Sequence, residues 1–229
     1  MGFYIKLLLF LLIAYLSIVF YIKVWLQDRQ VVFEGVEDAR ITKVVNGKHL
    51  RLNNHKNGYG GSISFWLYVA DWDHNFNLEK NIFQKDGLRM YFGSSSNDLV
   101  LETKVYNSDR GEKVIYRDIP IQKWMHITVI VDNRTLDLWV NDKLYSSKSL
   151  SNIPKIDDNQ QLEINANGGF GGYISRFYTY DHILSKKYIT FMANGNPINR
   201  SIVGYLKRFW DWLMGFRGNF SVNISVENS

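Results

Sequence analysis

Oxygen-bearing side chains after the first strongly apolar strand are the first candidates for chemistry. Asp71, Asp73 and Asn75 occupy alternate positions, which is the spacing with which a calcium-binding loop begins. A helix-loop-helix calcium motif also requires Gly sixth and Glu twelfth, and those places hold Phe76 and Ile82. The three side chains are therefore calcium candidates outside that motif, and their alternative is a solvated loop. No other metal or cofactor is expected.

The sequence lacks the acid and histidine spacings of common hydrolases. Retaining glycosidases need two carboxylates about 5 Å apart. The nearest string, Glu163-x-Asn165-x-Asn167, has one acid and two amides, and amides can neither protonate a leaving group nor attack carbon. The five histidines show no His-Glu-x-x-His spacing, and His126 is predicted to be a hydrogen-bonded core residue. We therefore predict no catalytic residues and expect a protein that is not an enzyme.

Alternating hydrophobicity predicts the elements that position these side chains. Two apolar runs between Ile121 and Leu144 are separated by turn residues, which predicts a β-hairpin. The first run is apolar on both faces, so it is expected to be a covered central strand. Turn signals recur along the chain roughly every 8–12 residues, which is typical of an all-β antiparallel sandwich.

This hairpin resembles the signature hairpin of concanavalin A-like lectin/glucanase domains of the laminin-G-like type. It has a Trp-x-His strand starting at Trp124 and a Trp-Val-Asn strand end, with Asp142 in place of the family's Gly. Gly171 to Leu184, followed by a short helix over 185–194, resembles the last strand and closing helix. The resemblance covers residues 40–197 and implies a concanavalin A-like jelly roll. It implies no single function, because the family includes lectins, adhesion modules, enzymes and structural domains.

Lectins on this scaffold bind sugars with aromatic and amide side chains carried on loops. Each candidate in this chain has an alternative as a side chain that packs against its own loop. The candidates are Trp72, Asn75, Asn107, Asp109 and Phe170.

The N-terminal stretch is strongly apolar, and Leu7 to Ile22 contains no charged residue. A helix of about 20 such residues spans a bilayer. Residues 1–26 are therefore predicted to be an uncleaved transmembrane anchor, and residues 27–39 a polar connector to the sandwich. The expected localisation is a single-pass membrane protein with the lipid bilayer as a partner. The alternative is a buried core helix.

Residues 198–229 form a separate tail. Ile202 to Phe216 places its apolar residues on one helical face, which predicts an amphipathic helix lying in the membrane interface, on the sandwich or on a neighbouring protein. An alternating terminal strand follows it. The side chains expected to contact the membrane or a partner are Phe209, Trp210, Leu213 and Phe216.

Composition excludes several classes of protein. The 229-residue chain has a net charge of only +5. This small excess of positive charge argues against nucleic acid as a partner. It contains no cysteine, which excludes disulfides, thiolate catalysis and cysteine zinc sites.

Two functions follow from these patterns. The first is a non-enzymatic, membrane-anchored structural or assembly protein that contacts neighbouring structural proteins. Large DNA viruses encode similar single-pass proteins with concanavalin A-like domains, so this prediction includes a minor structural protein at the membrane and capsid of a virus particle. The second is a surface-anchored carbohydrate-binding or adhesion module with glycans as partners.

Overall fold

A computed structural model describes residues 2–26, 29–46, 53–54, 58–108, 110–157 and 159–198, with side chains at all of these except 3, 20–26, 53–54 and 58–59. The helices are α1 (Gly2–Leu26) and α2 (Lys186–Ala193). The strands are β1 (Arg29–Asp38), β2 (Lys43–Val45), β3 (Asn53–Asn54), β4 (Gly58–Val69), β5 (Lys80–Lys85), β6 (Leu88–Phe92), β7 (Leu99–Thr103), β8 (Glu112–Tyr116), β9 (Trp124–Asp132), β10 (Thr135–Val140), β11 (Lys143–Ser149), β12 (Leu162–Ile164) and β13 (Gly172–Tyr180).

Two antiparallel sheets form the body of the fold. The seven-stranded sheet has the order β1-β13-β4-β9-β10-β11, with β3 added beside β4, and the six-stranded sheet has the order β2-β12-β5-β6-β7-β8. Aromatic rings fill the space between the sheets: Phe65 stacks on Phe177 with centroids 5.1 Å apart and meets Phe83 edge-on at 6.0 Å. The predicted all-β sandwich is confirmed.

Strand β9 lies in the middle of the seven-stranded sheet, between β4 and β10. Its residues from Met125 to Val131 are buried, because one face meets the core and the other is covered by neighbouring side chains. The predicted hairpin with a covered first strand is therefore confirmed. The short closing helix is confirmed as well: it is α2, and the Ser185 hydroxyl accepts a hydrogen bond from the Tyr188 backbone N–H at its start.

The segment expected to be a polar connector contains strand β1 instead. This strand pairs with β13 from Arg29 opposite Tyr180 to Asp38 opposite Tyr173. Two bulges interrupt the pairing, between Val31 and Phe33 and again before Val36. Bulges break the period of two that identifies a strand in a sequence, so the pattern does not reveal β1.

Within the described part of the chain, no helix is long and apolar enough to cross a membrane. This finding overturns the predicted transmembrane anchor at residues 1–26, and the predicted single-pass localisation is wrong.

Some predictions fall on residues outside the described ranges. They are the predicted amphipathic helix and terminal strand, with Phe209, Trp210, Leu213 and Phe216, and the ligand candidate Asp109.

Candidate functional site

The loop after β4 folds onto the loop before β13, and this contact joins some of the predicted ligand residues. The Asn75 side-chain amide donates hydrogen bonds to the carbonyls of Asn167 at 3.3 Å and Gly169 at 3.0 Å. The imidazole of His74 lies 2.6 Å from the carbonyl oxygen of Gly168. Asn75 therefore holds two loops together.

The two predicted aromatic ligand residues on these loops pack inward. Trp72 lies 5.3 Å from Phe92, and Phe92 meets Phe170 edge-on, also at 5.3 Å between centroids. Phe170 is fully buried and belongs to the core, whereas Trp72 is half-buried with the Lys80 ammonium 4.9 Å above its ring. Phe170 has no surface to offer a sugar.

Two of the three calcium candidates, Asp71 and Asn75, are bound to protein partners, and the third, Asp73, is exposed. Asp71 Oδ2 lies 3.0 Å from Arg40 Nη2, and its Oδ1 accepts the His74 backbone N–H at 3.3 Å. A cation bound at Asp71 would compete with the Arg40 guanidinium for the carboxylate. Among the described residues, no cluster of three or more His, Cys, Asp or Glu side chains could hold a metal ion.

Asn107 lies at the other end of the sandwich. The β7–β8 connection starts beside the β5–β6 turn, where the Lys104 N–H donates to the Gly87 carbonyl at 2.7 Å. It then passes the Ile153 carbonyl, which accepts the Tyr106 N–H at 3.0 Å. Trp72 packs at the opposite end of β6, against Phe92. The fold therefore does not bring all the predicted ligand loops together.

A row of polar side chains crosses the outer face of the six-stranded sheet. Its members lie directly opposite one another on five neighbouring strands, β12, β5, β6, β7 and β8, and cross-strand partners project from the same face. We call this set the polar row: Glu163, Gln84, Arg89, Glu102 and Lys113.

Alternation along each strand produces this row. The residues before or after each polar position point into the core and are buried, as with Phe83, Leu101 and Val114. Around each polar position a buried apolar neighbour precedes or follows the polar residue, which is the local signal that sequence reasoning could have used. The pairing register, which aligns the five side chains, is set only by the fold.

Arg89 is the centre of the polar row. Its Nη2 and Nε donate to Glu102 Oε2 at 2.7 and 2.9 Å, and its Nη1 donates to Glu79 Oε2 at 2.9 Å. The guanidinium carbon lies 4.3 Å from the centroid of the Tyr91 ring. The Tyr91 hydroxyl donates to Glu102 at 3.1 Å and accepts from Lys113 Nζ at 3.2 Å. These contacts hold Glu102 Oε2, Arg89 and the Tyr91 hydroxyl in one hydrogen-bonded cluster.

The environment of Glu102 keeps it ionised. Burial by itself would raise the pKa of its carboxyl, but hydrogen bonds and charge from Arg89 and Lys113 outweigh burial and lower the pKa below its usual value. Burial would likewise lower the pKa of Arg89, and its hydrogen bonds to Glu102 reverse the effect and raise it. The centre of the row thus presents a fixed anion beside a fixed cation.

At the other end of the row, the amides of Gln84 and Asn81 lie next to the carboxylate of Glu163. Gln84 Nε2 donates to Glu163 Oε2, and Asn81 Nδ2 donates to Gln84 Oε1 at 3.0 Å. The buried Asn81 Oδ1 has no hydrogen-bond partner among the described residues. Beside this end is a groove of about 370 Å³, lined by Gln84, Lys85, Asp86, Gly87, Leu88, Arg89, Glu102, Lys104, Gln160, Gln161 and Glu163.

Carboxylates, amides and a guanidinium together can accept from and donate to several hydroxyls at once. The polar row can therefore bind a ligand that carries several hydroxyls.

His126 is a core residue, as predicted. It is buried on β9, and its Nε2 lies 2.9 Å from Ser64 Oγ on β4. Burial lowers its pKa to about 4, so the imidazole is neutral at pH 7.

Two antiparallel sheets packed face to face are the architecture of lectin-like β-sandwich domains. The sequence profile of the concanavalin A-like lectin/glucanases superfamily matches residues 45–190, well over half of the chain. The chain belongs to this family, and the resemblance found in its hairpin and last strand is confirmed.

Solved structures with the same fold include binding domains of botulinum neurotoxins. The receptor-binding domain of the C/D mosaic serotype aligns with a TM-score of 0.54 and 14% identity, over 73% of this chain and 45% of that one. The serotype DC binding domain in complex with rat synaptotagmin II gives 0.52 and 18%, over 73% and 46%. The serotype D ligand binding domain in complex with N-acetylneuraminic acid gives 0.51 and 16%, over 68% and 46%.

These likenesses are at the level of the fold. The chain spans less than half of the length of each neighbour. Among curated proteins, no sequence match to the chain was found. The expected structural role in a virus particle is not tested by these comparisons and stays a prediction.

Proposed function

We propose that the protein is a non-catalytic, lectin-like binding module that holds a glycan in the groove beside the polar row. The observation that carries this proposal is the alignment of Glu163, Gln84, Arg89 and Glu102 on four adjacent strands, next to a groove of about 370 Å³. Small-ligand sites are concave and contain a few well-placed polar groups, and this groove has both properties.

The chemistry of the row matches a neutral sugar. The groove is lined by three carboxylates, which accept hydrogen bonds from hydroxyls, and by Arg89, which donates them; the carboxylates are Asp86, Glu102 and Glu163. Glutamines at positions 84, 160 and 161 can do both. Acidic and basic side chains alternate along the row, so the groove favours a ligand with many hydroxyls over one with a large net charge.

Rigidity of the row supports binding. Glu102 accepts hydrogen bonds from Arg89 and Tyr91, so its carboxylate is oriented before a ligand arrives. A ligand then meets groups whose side-chain entropy has already been lost, which lowers the cost of binding.

Solved structures that share the fold support the proposal at the level of the fold. The solved complexes of botulinum neurotoxin binding domains include one with N-acetylneuraminic acid and one with rat synaptotagmin II. Binding domains that contain such a sandwich have therefore been solved with a sugar and with a protein. The hydroxyl-compatible chemistry of the polar row favours the sugar.

A glycan array probed with the full-length protein tests this function. We expect a defined set of neutral glycans to bind, and Arg89→Met to weaken their binding at least about tenfold, because a charge-assisted hydrogen bond is lost while the aliphatic stem is kept. Arg117→Met is the matched control, since Arg117 is exposed on the loop after β8 at the far end of the strands. No glycan binding, or equal binding by both variants, would refute the proposal.

A further inference from the structure

A second cavity lies on the outer face of the seven-stranded sheet, bordered by α2, and has a volume of about 280 Å³. It is separate from the polar row, which lies on the other sheet. Aromatic rings from β4, β13 and α2 border it: Trp66, Tyr178 and Tyr188. Its polar border includes Ser64, His126 and Arg176.

Arg176 reaches this cavity from an unusual backbone position. It has a φ of 49° and lies within a bulge of β13, between Ser175 and Tyr178. A non-glycine residue with positive φ is uncommon and costs free energy unless its surroundings hold it there. The bulge therefore turns the side chain of Arg176 away from the sheet, at a position where regular strand pairing is interrupted.

The guanidinium of Arg176 forms neither an ion pair nor a hydrogen bond with any described residue. Arg29 also borders the cavity, but its Nη2 lies 3.0 Å from Glu34 Oε1 and its guanidinium carbon lies 4.6 Å from the Tyr178 ring centroid. Within the described part of the chain, the charge of Arg29 is therefore balanced and the charge of Arg176 is not.

His126 and Ser64 border the same cavity as a hydrogen-bonded pair, with His126 Nε2 2.9 Å from Ser64 Oγ. The His126 side chain is only 1% exposed, and this burial keeps the imidazole neutral at pH 7. The pair therefore adds polar atoms to the border of the cavity without adding charge.

We propose that this cavity binds a small organic monoanion, with a carboxylate against Arg176 and a compact flat body between the aromatic side chains. One positive charge without a partner among the described residues calls for one negative charge. The planar guanidinium pairs with a carboxylate through two parallel hydrogen bonds. The neutral imidazole of His126 contributes no further charge, so the balance favours a carboxylate over a phosphate dianion.

Arg176 could instead serve the fold alone. A β-carbon added to Gly195 would lie 3.2 Å from Arg176 Nη1, which places the guanidinium near the C-terminal end of α2. Cations are favourable beside helix C-termini. That role would affect the free energy of unfolding and would not produce selective binding of an anion, so a binding experiment separates the two.

The test uses benzoate as the probe and benzamide, which has the same shape without the charge, as its control. We expect calorimetry on the full-length protein to show saturable binding of benzoate and none of benzamide. Arg176→Asn should weaken benzoate binding at least about tenfold, and asparagine is chosen because it tolerates a positive φ. Arg117→Asn, the same change at an exposed arginine outside the cavity, should bind benzoate like the unchanged protein.

Three results would overturn the inference: no saturable binding of benzoate, equal binding of benzoate and benzamide, or undiminished benzoate binding by a folded Arg176→Asn variant. The unfolding midpoint of each variant is measured in parallel to verify that it is folded. Benzoate binding is also expected to survive Arg89→Met, because the polar row lies on the other sheet. The inference therefore fails or stands independently of the glycan proposal.

Discussion

Gly111 lies against the carboxylate of Glu102. A β-carbon built on this glycine would lie 2.9 Å from Cγ and 3.0 Å from Cδ of Glu102, and still closer to Oε1. Oε2 of the same carboxylate accepts the two Arg89 hydrogen bonds. The absence of a side chain at position 111 therefore leaves the space in which Glu102 can hold Arg89.

The variant Gly111→Ala tests this relationship without removing any charge. The added methyl group should push Glu102 away from Arg89 and weaken glycan binding about tenfold. Gly35→Ala is the matched control, because a β-carbon there meets nothing within 4 Å. Affinities measured by calorimetry on an array-selected glycan should fall for the first variant only. Equal affinities would mean that the position of Glu102 does not matter for binding.

Glu102→Gln should destabilise the protein in a pH-dependent way. The pKa of Glu102 is lowered in the folded state, so the carboxylate contributes stability at pH values above its ordinary pKa of 4.5, and this contribution is lost as the pH falls through the lowered value. Urea unfolding should show the variant about 1–3 kcal/mol less stable at neutral pH, and the difference should shrink in acid.

Glu37→Gln provides the control for that experiment. Glu37 pairs with Lys43 at 3.0 Å on the surface, and exposed pairs contribute only about 0–1 kcal/mol. A pH-independent difference between Glu102→Gln and the unchanged protein would contradict the assigned role of the carboxylate.

Acid should also destabilise the fold through His126. Its pKa is lowered from 6.5 to about 4 in the folded state, so between these values the unfolded chain binds more protons and stability falls as the pH is lowered. From pH 7 to pH 5 this effect amounts to about 2 kcal/mol. His126→Gln should lose that part of the pH dependence in urea unfolding, and His182→Gln should keep it. Identical pH profiles for the two variants would be inconsistent with a buried neutral imidazole.

Phe170→Ala and Trp72→Ala should separate packing from ligand contact. Phe170 is fully buried against Phe92, so its truncation should cost about 3–5 kcal/mol of stability. Trp72 is half-buried and should cost less. Thermal unfolding measures both costs, and glycan binding by the folded Trp72→Ala protein should be unchanged. Loss of glycan binding in the Trp72→Ala variant would mean that the binding site lies at the loop after β4 and not at the polar row.

Much of the sandwich could be predicted from the sequence because strand signals are local. The run after Asp132 alternates and the run before it is apolar on both faces, and they form β10 and β9 as expected. Strand β1 could not be recognised, since its bulges interrupt the alternation. Local pattern therefore identifies regular strands and misses an irregular one.

The candidate site depends on information that a single sequence does not contain. Gln84, Arg89, Glu102 and Lys113 are adjacent only because four strands pair in one register. Conversely, the loop at Asn107 has a ligand-like composition but emerges at the end of the sheet away from Trp72. Composition can identify a loop as a candidate for ligand binding. Only the direction of each strand determines which loops are neighbours.

Strand β1 lies before the region that the family profile matches, yet it protects the edge of that region. It pairs with β13 over nearly its whole length. A shortened protein made only from residues 45–190 would leave the backbone N–H and C=O groups of β13 open to pair with a second molecule, the usual route to edge-to-edge aggregation. Recombinant versions of this domain should therefore begin at or before Arg29.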